Sequence, residues 1–387
     1  MTTFVFTREQ QELRRTVRRF LADKSPPEQV RRLMDTEDGY DPGVWSQLAG
    51  QLGLVGLAVP AEHGGSGCGP VEQLIVCEEM GRVLLCAPYL STAVLAGSAL
   101  LASADRAAQA DLLPGIVAGS LVATLAVPED DGTWSTSALH TRARVQGRRW
   151  LVTGQKKFVL DGASAGLILV AAQAPAGPSL FAVDGAAPGL ARRPLQTLDM
   201  TRKQAVIDFD DVPARLVGVA GAAAAIVDHA VLLGSIMLAA EQVGGAQRCL
   251  DMSVDYAKFR YQFGRPIGSF QAIKHKCADM LLEVESARSA AYYAAWAAAD
   301  GGSDLPLVAS LAKAYCSEAY SRAAAENIQI HGGIGFTWEH DAHLYYRRAK
   351  SAEAMLGTPA EHRDLAAGYL IDAGEPDGHA TRPRTMT

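Results

Sequence analysis

Through residues 1–120 apolar side chains recur every three or four positions, the period of helices with one buried face. Thr7 and Gln10 have the spacing of a capping box, and Leu13, Val17, Phe20 and Leu21 then share one face of the helix it opens. Residues 41–54, 71–85, 92–101 and 107–118 repeat the helical pattern, with a glycine-rich loop from His63 to Pro70. Near residue 121 the period changes to two. Short β-like runs cover 121–127, 141–145, 150–153, 157–160, 167–172, 179–183 and 205–209, separated by turn signals such as Gln146-Gly147, Asp161-Gly162 and Pro175-Ala176-Gly177. No helical pattern lies between them, so they predict an antiparallel barrel or sandwich and not a series of βαβ units. Helical periodicity returns over 224–260, 270–299, 305–330 and 340–354. The expected class is α+β. An N-terminal helical domain (1–120) leads to a central β domain (121–221), a C-terminal four-helix bundle (222–372) and a flexible tail (373–387).

Composition narrows the function. The chain has 387 residues, 49% hydrophobic and 20% charged, with a net charge of −6, which fits a globular protein with ample core. The acidic balance, the lack of a long basic run and the 7% aromatic content argue against nucleic acid as a partner. Six cysteines are scattered without a CxxC pair, which suits a reducing cytoplasm and suggests neither zinc nor a redox dithiol. The first residues turn charged at Arg8, so no signal peptide is expected. The uncharged run 83–104 is broken by Pro88 and several polar residues, so no membrane span is expected there.

Two segments carry the densest chemistry. In 256–271, Lys258, Arg260 and Arg265 surround a turn at Phe263-Gly264, flanked by Gln262 and Gln271, with Ser269 as a candidate N-cap for the next helix. Cations and amide donors at a turn suit a pyrophosphate or nucleotide, but equally a solvated basic corner. In 329–337, Gln329 precedes Gly332, Gly333 and Gly335, which would allow a flat or phosphorylated ligand to approach the backbone or would simply cap a helix.

Together these segments resemble the FAD-clasping motifs of the acyl-CoA dehydrogenase family, Arg-x-x-Phe-Gly…Gln and Gln-x-x-Gly-Gly-x-Gly. They are matched here by Arg260, Phe263, Gly264 and Gln271, then by Gln329, Gly332, Gly333 and Gly335. The likeness extends over nearly the whole chain. Phe6–Arg14 resembles the family's opening helix, the stretch from Gly56 its first turn region, and Val206–Pro213 its last β-domain strand. The resemblance implies the family's helical–β–helical fold and FAD, clasped on its pyrophosphate and adenosine half by a neighbouring subunit, with Gln262 a further donor. It also implies a homo- or hetero-oligomer that oxidises an acyl-CoA thioester and passes electrons to an electron-transfer flavoprotein.

Three family features are altered. The Thr-Glu-Pro-Gly-x-Gly-Ser-Asp loop reads Ala126-Val-Pro-Glu129-Asp-Asp-Gly132-Thr133-Trp134. The Trp-x-Thr strand beside the flavin reads Phe158-Val-Leu160, where Phe158 could still stack on the ring but Leu160 has no hydroxyl. The Tyr-Glu-Gly-Thr motif that carries the catalytic base reads Met355-Leu356-Gly357-Thr358, with no carboxylate. Glu241, alone in the apolar run 232–243, is the expected replacement base. Some members place their base on this helix at the position of Gly234, two turns earlier. The competing reading pairs Glu241 with a cation such as Arg248. Two other functions stay open: a non-catalytic subunit that completes a partner's flavin site, and oxygen-using flavin chemistry on a non-CoA substrate. The small residues Gly97, Ser98, Gly234, Ala239 and Ala240 hint at room for a bulky or branched acyl chain.

Overall fold

The computed structural model describes residues 5–372, so the tail expected over 373–387 lies outside the described residues. The first elements are α1 (Arg8–Lys24), α2 (Pro27–Met34), α3 (Pro42–Ser46), α4 (Pro70–Arg82), α5 (Gly97–Ala102) and α6 (Arg106–Val117). The capping box of α1 forms as expected: the Gln10 N–H donates to Thr7 Oγ1 at 3.2 Å and the Thr7 N–H to Gln10 Oε1 at 3.0 Å. The helix expected over 41–54 is a short α3 continued by a wide π turn, Gln47–Gln51.

The strands follow: β1 (Ala123–Ala126), β2 (Arg142–Gln146), β3 (Arg149–Leu160), β4 (Leu167–Ala174), β5 (Gly177–Asp184), β6 (Leu190–Pro194) and β7 (Gln204–Val217). The pairing path β4–β2–β3–β7–β5 returns to β4, so the sheet closes into a small barrel, with β1 added at β4 and β6 at β7. It is not wholly antiparallel. β1 pairs with β4 in parallel, as does one residue pair of β2, because the β2–β3 hairpin turns the chain before β4 re-enters beside β1. The runs 150–153 and 157–160 are a single strand, β3. Gly154, at a φ of 142°, does not end it but makes a bulge where a Cβ would meet the Thr141 backbone at 2.7 Å. Two arginines hide β6 from the hydrophobic pattern. It lies beside β7 while Arg192 donates to the carbonyls of Ala163 and Ala165 at 3.0 and 2.8 Å.

The remaining elements are α7 (Ala223–Phe259), β8 (Tyr261–Gln262), β9 (Arg265–Pro266), α8 (Gln271–Asp300), α9 (Leu305–His331), α10 (Ala342–Ala354) and α11 (Pro359–Asp372). α8 starts at Gln271 behind Phe270, and Ser269 belongs to the preceding 3₁₀ turn instead of capping the helix. Among the described residues α7 alone contains a stretch long and apolar enough to cross a membrane, and 61% of that stretch is buried in the structure.

The described chain falls into two compact units, and they cut across the order of elements. One holds Arg32–Gly69 and Cys86–Gly234, with the barrel at its centre. The other gathers α1, Pro70–Leu85 with α4, and the helices from Ser235 onward. In the helical unit α4 and α7 touch backbone to backbone. A Cβ on Gly81 would stand 2.0 Å from the Glu241 carbonyl oxygen, and one on Gly244 would stand 1.9 Å from that of Glu78. Around this contact is a buried charge network that the hydrophobic pattern does not announce. Glu78 accepts from Arg14 at 2.9 Å, from the Tyr292 hydroxyl at 2.6 Å and from Arg288, while Arg18 grips Glu79 through two nitrogens at 2.8 and 2.7 Å.

Gly81→Ala and Gly244→Ala should each cost about 1–3 kcal/mol by overpacking. Gly368→Ala, on α11 where a Cβ would meet nothing within 4 Å, should gain about 0.5–1 kcal/mol. Denaturant unfolding of the three variants checks the contrast.

Candidate active site

The two motif segments come together in the helical unit. α7 ends at Phe259, and Arg260 leads into the β8–β9 hairpin, where Tyr261 faces Pro266 and Gln262 faces Arg265. The turn residues Phe263 and Gly264 have φ of 52° and 76°, the left-handed pair that a tight two-residue hairpin needs. Phenylalanine takes that conformation at a cost, and here its ring is 90% exposed. Behind it the Arg265 guanidinium lies 4.1 Å over the Phe270 ring. From the other side α9 ends at His331, whose ring packs 4.3 Å from Tyr256 of α7 and 4.3 Å from His340. Burial, and then the neighbouring His340, lower the pKa of His331 against the pull of its bond to the Asn327 carbonyl.

The glycines divide by role. Gly332 leaves α9 with a φ of 65°, and neither it nor Gly333 would bring a Cβ within 4 Å of anything. Gly335 is buried, and a Cβ there would meet Ile328 O and His331 Cβ at 2.9 Å, so it serves packing and not ligand approach. Arg260 makes no ion pair, and the side chains of Gln262, Gln271 and Gln329 make no hydrogen bond, among the described residues. Phe259, Tyr261, Ile334, Phe336 and Trp338 are exposed around them. A free guanidinium, three amide side chains and uncovered aromatic faces are a donor set that fits a large planar cofactor bearing phosphates.

In the barrel unit Phe158 sits in the second bulge of β3 with a φ of 54°, its ring 42% exposed, and a Cβ on Gly132 would touch that ring at 3.7 Å. The altered loop around Glu129 is stitched to β3. The Lys157 N–H donates to Pro128 O at 2.9 Å, and the fully buried Lys156 reaches Val127 O at 2.9 Å and Glu129 Oε1 at 2.8 Å. Glu129 also accepts the N–H groups of His140 at 2.8 Å and Thr141 at 2.9 Å. Burial would raise its pKa, but Lys156 and the two N–H groups outweigh that and hold the carboxyl at about 2. Burial in turn pulls Lys156 down to about 8 against the attraction of Glu129. Thr133 bonds Asp131 within the turn, and Leu160 is buried with its carbonyl taken by Thr124 Oγ1 at 2.6 Å.

Neither candidate position offers a free base. Leu356 is 2% exposed and has a φ of 59°. Glu241 is joined to Arg348 of α10, Nη1 to Oε1 at 2.5 Å, with both side chains largely buried. The cation is therefore Arg348, buried on α10, and not Arg248. Arg347 covers the Trp338 ring at 5.0 Å. Asp341 of the acidic run before α10 accepts from Arg31 at 2.8 Å. Sequence reasoning missed Lys156, Lys313 and His362, all buried. A lysine inside an apolar strand or helix was the available signal.

Two family descriptions match: "Acyl-CoA dehydrogenase, N-terminal domain" over residues 7–120 and "Acyl-CoA dehydrogenase, C-terminal domain" over 224–370. The acyl-CoA dehydrogenase IpdE2 of Mycobacterium tuberculosis is 36% identical over 355 residues, 91% of this chain and 94% of that one. A variant of the Tcur3481-Tcur3483 steroid ACAD is structurally similar, with a TM-score of 0.85, 32% identity, and 94% and 98% of the two chains covered. So is the ChsE4-ChsE5 complex from Mycobacterium tuberculosis, with a TM-score of 0.87, 28% identity, and 97% and 100% covered.

Glu129 yields a pH prediction. Its pKa lies below the ordinary 4.5, so the stability it contributes is complete above pH 4.5 and is lost as the pH falls towards about 2. Glu129→Gln should remove that acid-sensitive part and leave Lys156 buried without its carboxylate, a cost of about 3–5 kcal/mol at neutral pH. Thermal unfolding of both proteins between pH 2 and 7 checks this.

Proposed function

Because the chain belongs to the acyl-CoA dehydrogenase family, we propose that it works as one of two unlike subunits, lending a flavin clasp to its neighbour while the neighbour carries the catalytic base. The family's members are FAD-dependent flavoproteins, so FAD is the cofactor and the activity is acyl-CoA dehydrogenation, alone or within a heteromer. One observation carries the heteromeric reading: Leu356 stands where the base would be, and the one substitute carboxylate, Glu241, is tied to Arg348. To accept a proton Glu241 would have to give up its largely buried ion pair with Arg348, a cost of several kcal/mol. Similarity to a steroid ACAD and to a complex of two named proteins supports both the unlike partner and a bulky, ring-containing acyl thioester as substrate.

When bound, FAD would supply the hydride acceptor for oxidation of the acyl thioester. This chain's residues bind and orient. Arg260 offers its charge to the pyrophosphate, and Gln262, Gln271 and Gln329 offer amide donors. Gly332 and Gly333 leave the backbone open to close approach, and the strained Phe263 turn with Gly264 carries the hairpin outward. Gly335 holds the glycine turn in shape from beneath. In the barrel unit Phe158 offers an exposed ring for stacking, on the strand that the Glu129–Lys156 pair ties to the neighbouring loop. An electron-transfer flavoprotein is the proposed acceptor.

Purified alone, the chain should hold well under one FAD and show no bleaching of the flavin band on addition of an acyl-CoA. Co-expressed with an acyl-CoA dehydrogenase subunit that keeps the motif glutamate, it should give a yellow, active complex. Full FAD and turnover in the chain alone would overturn the proposal. Glu241→Gln in the assembled complex should lower stability by about 3–5 kcal/mol while leaving the rate of flavin reduction within about twofold. A stable variant that no longer reduces flavin would restore Glu241 as the base.

A further inference from the structure

The turn 355–358 joins α10 to α11 in the helical unit, and its Leu356 and Gly357 carbonyl groups accept from buried side chains. Lys313, on α9, is completely buried and points its ammonium at this turn. Its Nζ donates to Gly357 O at 3.0 Å, to Glu353 O at 3.3 Å and to Ser317 Oγ at 3.0 Å. Three donors meet three neutral acceptors, and no carboxylate is among them. Glu353, the nearest acid, spends its carboxylate on Ser321 at 2.6 Å and Lys350 at 2.8 Å. Ser317 exchanges hydrogen bonds with Gln242 of α7, so the ammonium is anchored to the helix that carries Glu241. From α11, His362 Nε2 donates to Leu356 O at 2.9 Å, which makes Nε2 the protonated nitrogen and leaves Nδ1 without a partner among the described residues. Burial first, and then the charge of Lys313, pull His362 down to about 4, so the imidazole is neutral. A Cβ on Gly357 would stand 3.0 Å from that Nε2, and the Gly357 φ of 103° excludes other residues as well. Thr358 and Glu361 close the far side as a capping box, the Thr358 N–H donating to Glu361 Oε2 at 2.7 Å.

A buried ammonium without a counter-ion costs several kcal/mol in desolvation, and burial pulls Lys313 down to about 8. Carbonyls at the end of a helix are the acceptors best able to offset that cost, since α10 ends there with its negative pole. An uncharged side chain would fill the same volume at less expense. What the lysine adds is one atom that ties three separate points, the last turn of α10, the 355–358 turn and α9.

We propose that Lys313 is a positioning residue that fixes the 355–358 turn through its backbone, with His362 as second support, so that the mount for a catalytic base persists beneath Leu356 although the base does not. The inference deepens the proposed function, because the turn matters to the reaction only where residue 356 faces it. Lys313 and His362 reach the turn through the backbone carbonyls of Gly357 and Leu356, so these bonds do not depend on which side chain residue 356 carries.

Hydrogen exchange of the full-length chain tests this at the Met355 and Thr358 amides, which are bonded to Ser351 O at 3.2 Å and Glu361 Oε2 at 2.7 Å. Lys313→Met should speed exchange in the peptide spanning 353–358 at least about tenfold while the centre of α9 stays within about twofold. Lys313→Arg, which keeps charge and donors, should recover most of the protection. Leu356→Glu should leave the turn within about threefold of the wild type. Unchanged exchange in Lys313→Met, a uniform rise across α9 and α10, or an opening of the turn by Leu356→Glu overturns the proposal. Should Lys313→Met not accumulate as folded protein, His362→Phe removes only the bond to Leu356 O. A rise confined to the turn is then expected, and no rise overturns the proposal. The two readings fail separately. A fully flavin-loaded and active lone chain would end the heteromeric reading but not the clamp, and unchanged exchange would do the reverse.

Discussion

The helical unit depends on the crossing of α4 and α7, where Gly81 and Gly244 let two backbones meet with no side chain between them. Close approach of that kind gains dispersion contact but leaves no room for adjustment. It also decides which charges are buried. Glu78 sits buried at the contact on α4, and Glu241, with little of its side chain exposed, sits at the contact on α7. Each must therefore find a cation inside the unit. Glu78 finds Arg14 and Arg288, and Glu241 finds Arg348. The Glu241–Arg348 ion pair is thus a consequence of packing.

The chemistry divides along the same line. Facing outward are Arg260, which makes no ion pair among the described residues, amide side chains, a strained hairpin tip and aromatic faces. What the chain keeps inward is tied down, with Glu241 on Arg348, Glu129 on Lys156, and the 355–358 turn on Lys313 and His362. This division is what the proposed role, completing a site in a neighbour, rests on. The left-handed Phe263 and Leu356 mark the two ends of this arrangement, one exposed and one buried.

Much of this was legible in the sequence because it rests on local rules. The capping box of α1 needs only Thr7 and Gln10, and the long helices α7, α8 and α9 announce themselves by periodicity. The hairpin tip follows from a glycine at the right offset. Local rules failed where a residue answers to a distant partner. Gly154 reads as the end of a strand until Thr141 is seen packed against it. Arg192 and Arg193 conceal β6, since two of the carbonyls that Arg192 bonds, those of Ala163 and Ala165, lie some thirty residues earlier in the chain. Glu78 and Glu79 look like the polar face of α4 until α1 and α8 close over them.

The chain's order of residues determined by itself the succession of helices, barrel and helices, the family, the motifs that resemble the family's flavin clasp and the absence of a glutamate at position 356. Each is a property of residue type and spacing, which needs no partner to be read. Only the tertiary structure decided what a given charge is for. A carboxylate in an apolar helix is a base or a strut according to what faces it, and the facing residue, Arg348, comes from a helix more than a hundred positions away. The glycines divide in the same way: Gly332 and Gly335 look alike in a motif, yet one opens the backbone and the other seats it against Ile328. Charge, burial and close contact depend on three-dimensional neighbours, and a single sequence records those neighbours only through the fold.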